Sequence, residues 1–144
     1  SNEDRMEYDL NRFCEALDFA YELALGEMRA GRKRSHWIWY VFPQVKGLGR
    51  SYNARYYALD GVEEARQFLN DEELGGRLRE ITEVVLEHRG IDVEDLMNGE
   101  IDAIKLRSSM TLFDLVSPND IFAQVLEAFF DGNRCEHTLE ICGE

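Results

Sequence analysis

The chain has 144 residues, 44% apolar and 31% charged, with 29 acidic against 16 basic side chains and a formal charge of −13. That length closes one hydrophobic core, and the near-ordinary composition excludes a disordered chain. The acidity argues against nucleic acid as a partner, but a small anion can still be held where the local charge is positive.

Apolar residues at Leu10, Phe13, Leu17, Ala20, Tyr21, Ala24, Leu25 and Met28 fall at steps of three and four, which predicts an amphipathic helix. Asp9 is placed to cap it and Gly31 to end it. The aromatic run Ser35–Pro43 lacks a convincing strand partner elsewhere, so it reads as a short helix capped by Ser35 and stopped by Pro43. Gln44–Arg50, with Gly47 and Gly49, is a loop, and Ser51 opens a short segment to Leu59. Asp60 with Glu63 resembles a capping box for a helix to Leu69. Asn70 or Asp71 opens the next helix, striped by Leu74, Leu78, Ile81, Val85 and His88 and closed by Gly90. Asp92 caps a helical turn, Asn98-Gly99 breaks the chain, and Glu100–Val116 is helical. Ser117-Pro118 reads as a cap with proline at the first helical position, for a helix to Phe130. A last short helix runs over Glu136–Ile141. The expectation is one all-helical domain over 1–144, with 1–8 a flexible N-terminal segment.

Three features stand out from this frame. Arg29, Arg32, Lys33 and Arg34 form a basic cluster that reads either as an anion-attracting rim or as cations at a helix C-terminus. Gly47-Leu48-Gly49-Arg50-Ser51 fits neither the P-loop nor the dinucleotide pattern, and reads either as a simple turn or as a loop feeding a helix N-terminus, whose free N–H groups can bind an anion. On the helix from Glu100, Asp102, Lys105 and Ser109 share one stripe between apolar margins formed by Leu106 and Phe113 and by Ile101 and Leu112. Charges there need partners. One reading is an Asp102–Lys105 pair that fixes packing; the other is Lys105 and Ser109 lining a pocket, with Asp102 orienting the lysine.

His36 and His88 have ordinary structural explanations, though His36 is the natural acid–base residue if the site is catalytic. Cys135, His137 and Cys142 lack a fourth ligand at a recognisable spacing, so no metal is expected, and no cofactor. Without a visible export signal or a membrane-length apolar run, Cys14, Cys135 and Cys142 are expected to be reduced thiols of a cytoplasmic protein.

The stretches Gly31–Gln44, Gly47–Ser51 and Asp102–Phe113, with Tyr57-Ala58, Glu64-Ala65, Leu74-Gly75 and Arg77-Leu78, resemble the hallmarks of a bacterial family, the domain of unknown function eighteen-ten. The resemblance spans nearly the whole chain and implies an all-helical fold, with no activity to carry over; it also leads one to expect an aspartate where Cys135 stands. The calpastatin label that such sequences sometimes carry disagrees with the physics. Calpain-inhibitor repeats are proline-rich and disordered, whereas this chain has 2 prolines and a full set of core-forming helices.

The expected site therefore lies between the His36–Ser51 segment and the Asp102–Ser109 helix. Its ligand is a small anionic, nucleotide-like compound met by Trp37, Gln44, Gly49, Arg50, Ser51, Asp102 and Ser109. His36 and Lys105 are the catalytic candidates, and the residues leave open whether the chain is an enzyme. The competing expectation is a protein-interaction module that uses Trp37–Phe42 as a hot spot, with the polar stripe purely structural.

Overall fold

The computed structural model describes residues 6–143, so residues 1–5 of the expected flexible segment lie outside the described residues. Met6 and Tyr8 are hydrogen-bonded to Gln67, through the Met6 carbonyl at 2.6 Å and the Tyr8 N–H at 2.9 Å. The fold is all-α: α1 (Asn11–Arg29), α2 (Ile38–Val41), α3 (Tyr52–Tyr56), α4 (Val62–Asn70), α5 (Glu72–Glu87), α6 (Val93–Leu96), α7 (Glu100–Val116), α8 (Ile121–Phe130) and α9 (Glu136–Ile141). The described residues contain no extended strand, only one isolated parallel bridge between Val45 and Leu59.

Helix α7 is the axis of the core. It packs on α2, α4, α6, α8 and α9, while α1 packs on α2 and α5. Its Leu106, Met110, Leu112 and Phe113 are fully buried, and the Phe113 ring meets Phe68 of α4 and Phe122 of α8 at 5.7 and 5.6 Å. Helix α1 buries Phe13, Leu17, Ala20, Tyr21, Ala24, Leu25 and Met28, the stripe its periodicity predicts.

Local signals were partly displaced. The aromatic helix is shorter than Ser35–Pro43, because Ser35 donates its hydroxyl to Glu27 rather than capping, and the chain turns helical only at Ile38. The box before α4 is closed by Glu64, whose carboxylate accepts the Asp60 N–H at 2.7 Å; Glu63 instead pairs with Arg66. Helix α8 starts at Ile121, capped by Asp120, and not at Pro118, because Asn119 takes a positive φ of 58°. Ser51 and Asp71 do cap α3 and α5, accepting the N–H groups of Ala54 and Leu74.

The turn from α4 into α5 has no slack. A Cβ on Gly75 would lie 1.9 Å from the Leu69 carbonyl oxygen, whereas one on Gly76 would meet nothing within 4 Å. Adjacent glycines on one helix should therefore respond with opposite signs. In urea unfolding, Gly75→Ala should lose about 2–3 kcal/mol through overpacking, and Gly76→Ala should gain about 0.5–1 kcal/mol through helix propensity. Equal behaviour of the two would contradict this packing.

Candidate functional site

The region that joins α1 to α2 is organised by a carboxylate. Glu27 Oε1 accepts the N–H groups of Arg34 (2.8 Å) and Ser35 (2.9 Å) and the indole N–H of Trp37 (2.9 Å), and Oε2 accepts the Ser35 hydroxyl at 2.6 Å. Partial burial alone would push Glu27 up. The Ser35 hydroxyl, the two backbone N–H groups and the indole outweigh it and hold Glu27 at about 2, below its ordinary 4.5.

Trp37, so fixed, is 1% exposed and carries Lys33 Nζ at 4.8 Å from its ring centroid. Lys33 is not a solvated helix-end cation: it is 3% exposed, donates to the Ser35 carbonyl, and pairs with Asp102 Oδ2 at 2.7 Å. A buried ammonium is tolerated when it is paired and hydrogen-bonded. The lysine held by Asp102 is therefore Lys33, not Lys105. Of the other cluster members, Arg29, Arg32 and Arg34 are exposed, and Arg32 donates to Asn98 Oδ1 at 2.8 Å.

Lys105, one turn along α7, lies over Trp39 instead, with Nζ 5.4 Å from the ring centroid. Among the described residues no carboxylate pairs with it. Lys105, Trp39, Phe42, Gln44, Ala54 and Tyr57 line a cleft of about 10 Å³, room for a single water-sized group. Trp39 Nε1 is buried with no acceptor among the described residues. The cleft is rich in donors and poor in acceptors. The segment that roofs it, residues 44–58, carries Lys46, Arg50 and Arg55 and no acidic residue, on a chain of net charge −13.

The expected site residues separate into groups. Gln44 and Lys105 share the cleft, and Gly49 closes the loop above it: a Cβ there would lie 2.4 Å from Ala54 Cβ and 3.5 Å from Gln44 Nε2. Trp37 and Asp102 belong to the Lys33 cluster beside it. Ser109 is fully buried, its hydroxyl without a partner among the described residues, and it does not line the cleft. His36, Arg50 and Ser51 are exposed and outside the cleft lining. The margin of the α7 stripe is not closed either, since Ile101 and Ile104 face solvent. Trp37, Ile38, Val41 and Phe42 are core, so only Trp39 and Tyr40 of the aromatic segment keep part of their surface for a partner. Sequence reasoning singled out neither Glu27 nor Tyr57 for the site, and it reached Lys33 only as one of four clustered cations and Trp39 only as part of the aromatic run.

Cys135 stands at the N-cap of α9, a position that suits aspartate, but its side chain makes no capping hydrogen bond. Burial pushes the thiol up, but donors on Ser108 and Thr138, with Arg107 nearby, bring it below its ordinary value. No disulfide joins Cys14, Cys135 and Cys142, and no group of three or more metal-ligating side chains occurs among the described residues. No helix among them is long and apolar enough to cross a membrane.

A family model described as Protein of unknown function (DUF1810) matches residues 7–142. The crystal structure of the conserved hypothetical protein Rv1873 from Mycobacterium tuberculosis is similar, at 39% identity and a TM-score of 0.91, over 95% of this chain and 98% of that one. No curated protein matches significantly.

Two outcomes follow from the buried cluster. Lys33→Met should destabilise by about 3 kcal/mol, with much of the loss recovered in Lys33→Met/Asp102→Asn, as a double-mutant cycle in urea would read. Absence of coupling would exclude the pair. Glu27 has a folded value below its unfolded one, so its stabilisation is complete above about 4.5 and drains as pH falls toward 2. Glu27→Gln should therefore be less stable at neutral pH and lose less stability between pH 5 and pH 2. An acid limb as steep as wild type would show that Glu27 does not carry it.

Proposed function

The chain belongs to this family of unknown function, a membership that assigns no activity, and we propose that it is a binding module whose α2–α7 cleft takes an anionic group of a small molecule. The observation that carries this reading is a pair of donors with no partner among the described residues. There Lys105 meets no carboxylate, the Trp39 indole N–H meets no acceptor, and both residues line one cleft. A buried donor left unpaired costs roughly 1–3 kcal/mol, and an oxygen of a phosphate or carboxylate would satisfy both donors at once. The cleft's volume of about 10 Å³ admits one such oxygen, so the anion is read at the mouth and not enclosed. The cationic segment 44–58 supplies the local field that draws an anion to an acidic protein.

Binding is favoured over catalysis because His36, the acid–base candidate, is exposed and does not line the cleft. The interaction-module reading has less support, since most of its aromatic hot spot is core. A cytoplasmic location, in keeping with cysteines that no disulfide joins, belongs to the same proposal.

Inorganic phosphate is the simplest probe. In a ¹H–¹⁵N spectrum its titration should shift the Trp39 indole signal and leave that of Trp37, already bonded to Glu27, in place. Lys105→Met should keep the thermal midpoint of the wild type and abolish the phosphate-induced shift. A Lys105→Met protein that responds to phosphate like the wild type removes this lysine from the site.

A further inference from the structure

The cleft is continuous with an aromatic surface. Tyr57, in its wall, meets Tyr56 edge-on at 4.8 Å between ring centroids, and Tyr56 stacks on Tyr52 at 5.6 Å with ring planes 10° apart. Tyr52 is 71% and Tyr56 44% exposed. Exposed aromatics that already stack in parallel leave an outer face on which a further planar ring can lie. The stack is held in place from beneath: Arg12 donates to the Tyr56 carbonyl at 2.8 Å and to the Ala58 carbonyl at 2.9 Å, and is itself fixed by the Asp9 carbonyl and by Glu64, each at 3.1 Å. Ser51 caps the same short helix from its other end. A rigid aromatic surface loses little freedom on binding.

We propose that Tyr52 and Tyr56 form a stacking platform for the planar base of a nucleoside phosphate whose phosphate oxygen enters the Lys105–Trp39 cleft. This rests on the reading of the cleft as an anion site and names the class of ligand it takes. Three observations select that class. The platform is aromatic and open, which suits a flat heterocycle better than an aliphatic or a sugar ring. The charged side chains of the segment between cleft and platform are Lys46, Arg50 and Arg55, all cations, which suits a ligand whose charge lies beside its ring. Tyr57 of the cleft wall touches Tyr56, the inner ring of the stack, so the platform begins one ring contact from the cleft. Stacking tolerates any base, so the platform takes purine and pyrimidine rings, the larger ring more tightly.

The test compares adenosine 5′-monophosphate, adenosine and inorganic phosphate by isothermal titration against the wild type, Tyr52→Ala, Tyr52→Phe and Lys105→Met. The nucleotide should bind the wild type more tightly than either half alone. Tyr52→Ala should weaken the nucleotide by about tenfold or more and leave phosphate unchanged; Tyr52→Phe, which keeps the ring, should bind like the wild type. Lys105→Met should weaken the nucleotide and phosphate together. A wild type that binds the nucleotide no better than phosphate overturns the platform, and so does a Tyr52→Ala protein with unchanged nucleotide affinity; in both cases loss of phosphate binding in Lys105→Met leaves the cleft reading standing. Unchanged phosphate binding in Lys105→Met overturns the cleft reading, and the platform proposal falls with it.

Discussion

A positive charge taken out of water dictates much of how this protein is assembled. The Lys33 ammonium is almost wholly buried, and a charge there is sustainable only with an anion, an acceptor and a polarisable surface around it. Asp102, the Ser35 carbonyl and the Trp37 ring supply the three. Each is itself constrained. Trp37 and Ser35 are oriented by Glu27, near the end of α1, and Asp102 by its place in the first turn of α7, where the helix dipole favours a carboxylate. The segment after α1 is therefore registered against α7 by charge as well as by packing. Hydrophobic contact alone would tolerate a sliding fit; a short ion pair does not.

The two halves of the polar stripe on α7 have parted company. Asp102 is spent on structure, while Lys105, one turn further, is left with an aromatic ring and no counter-charge among the described residues. Most residues of the long family-like segments serve the first purpose. Trp37, Ile38, Val41, Phe42 and Val45 are core, Gly49 permits a close approach to Ala54, and Ser51 caps α3. A motif can be long and specific because it builds a joint, and this one leaves a small donor-rich opening at the joint's edge.

Much of the fold was legible because its signals are local. The α1 stripe, the Ser51 and Asp71 caps and the break at Asn98-Gly99 depend on periodicity and backbone preference, and each lies where the residues put it. The start of α8 was misread because Asn119 can adopt a left-handed φ and Asp120 caps better than Ser117 in that geometry. The partners of side chains were less legible. That Asp102 and Lys105 share a helical stripe makes them neighbours, but it does not say that a lysine from the α1–α2 connection arrives first. Glu27 gave no sign at all, since a glutamate near the end of a helix is ordinarily solvated, and only the chain's return at Arg34–Trp37 gives it four donors.

The bridge between Val45 and Leu59 is made from both sides. The Lys46 N–H bonds the Leu59 carbonyl at 2.7 Å, and the Leu59 N–H bonds the Gln44 carbonyl at 3.0 Å, so the chain between them is a loop tied shut at its base. Closing a loop costs little more as it lengthens, about 0.6 kcal/mol for each doubling. Residues can thus be added to or removed from the loop's outer part while the knot beneath it, and the helices it joins, stay as they are. With Gly49 pressed on Ala54 and Ser51 capping α3, that latitude falls to the exposed turn at Lys46 and Gly47, an adjustable collar on a fixed neck.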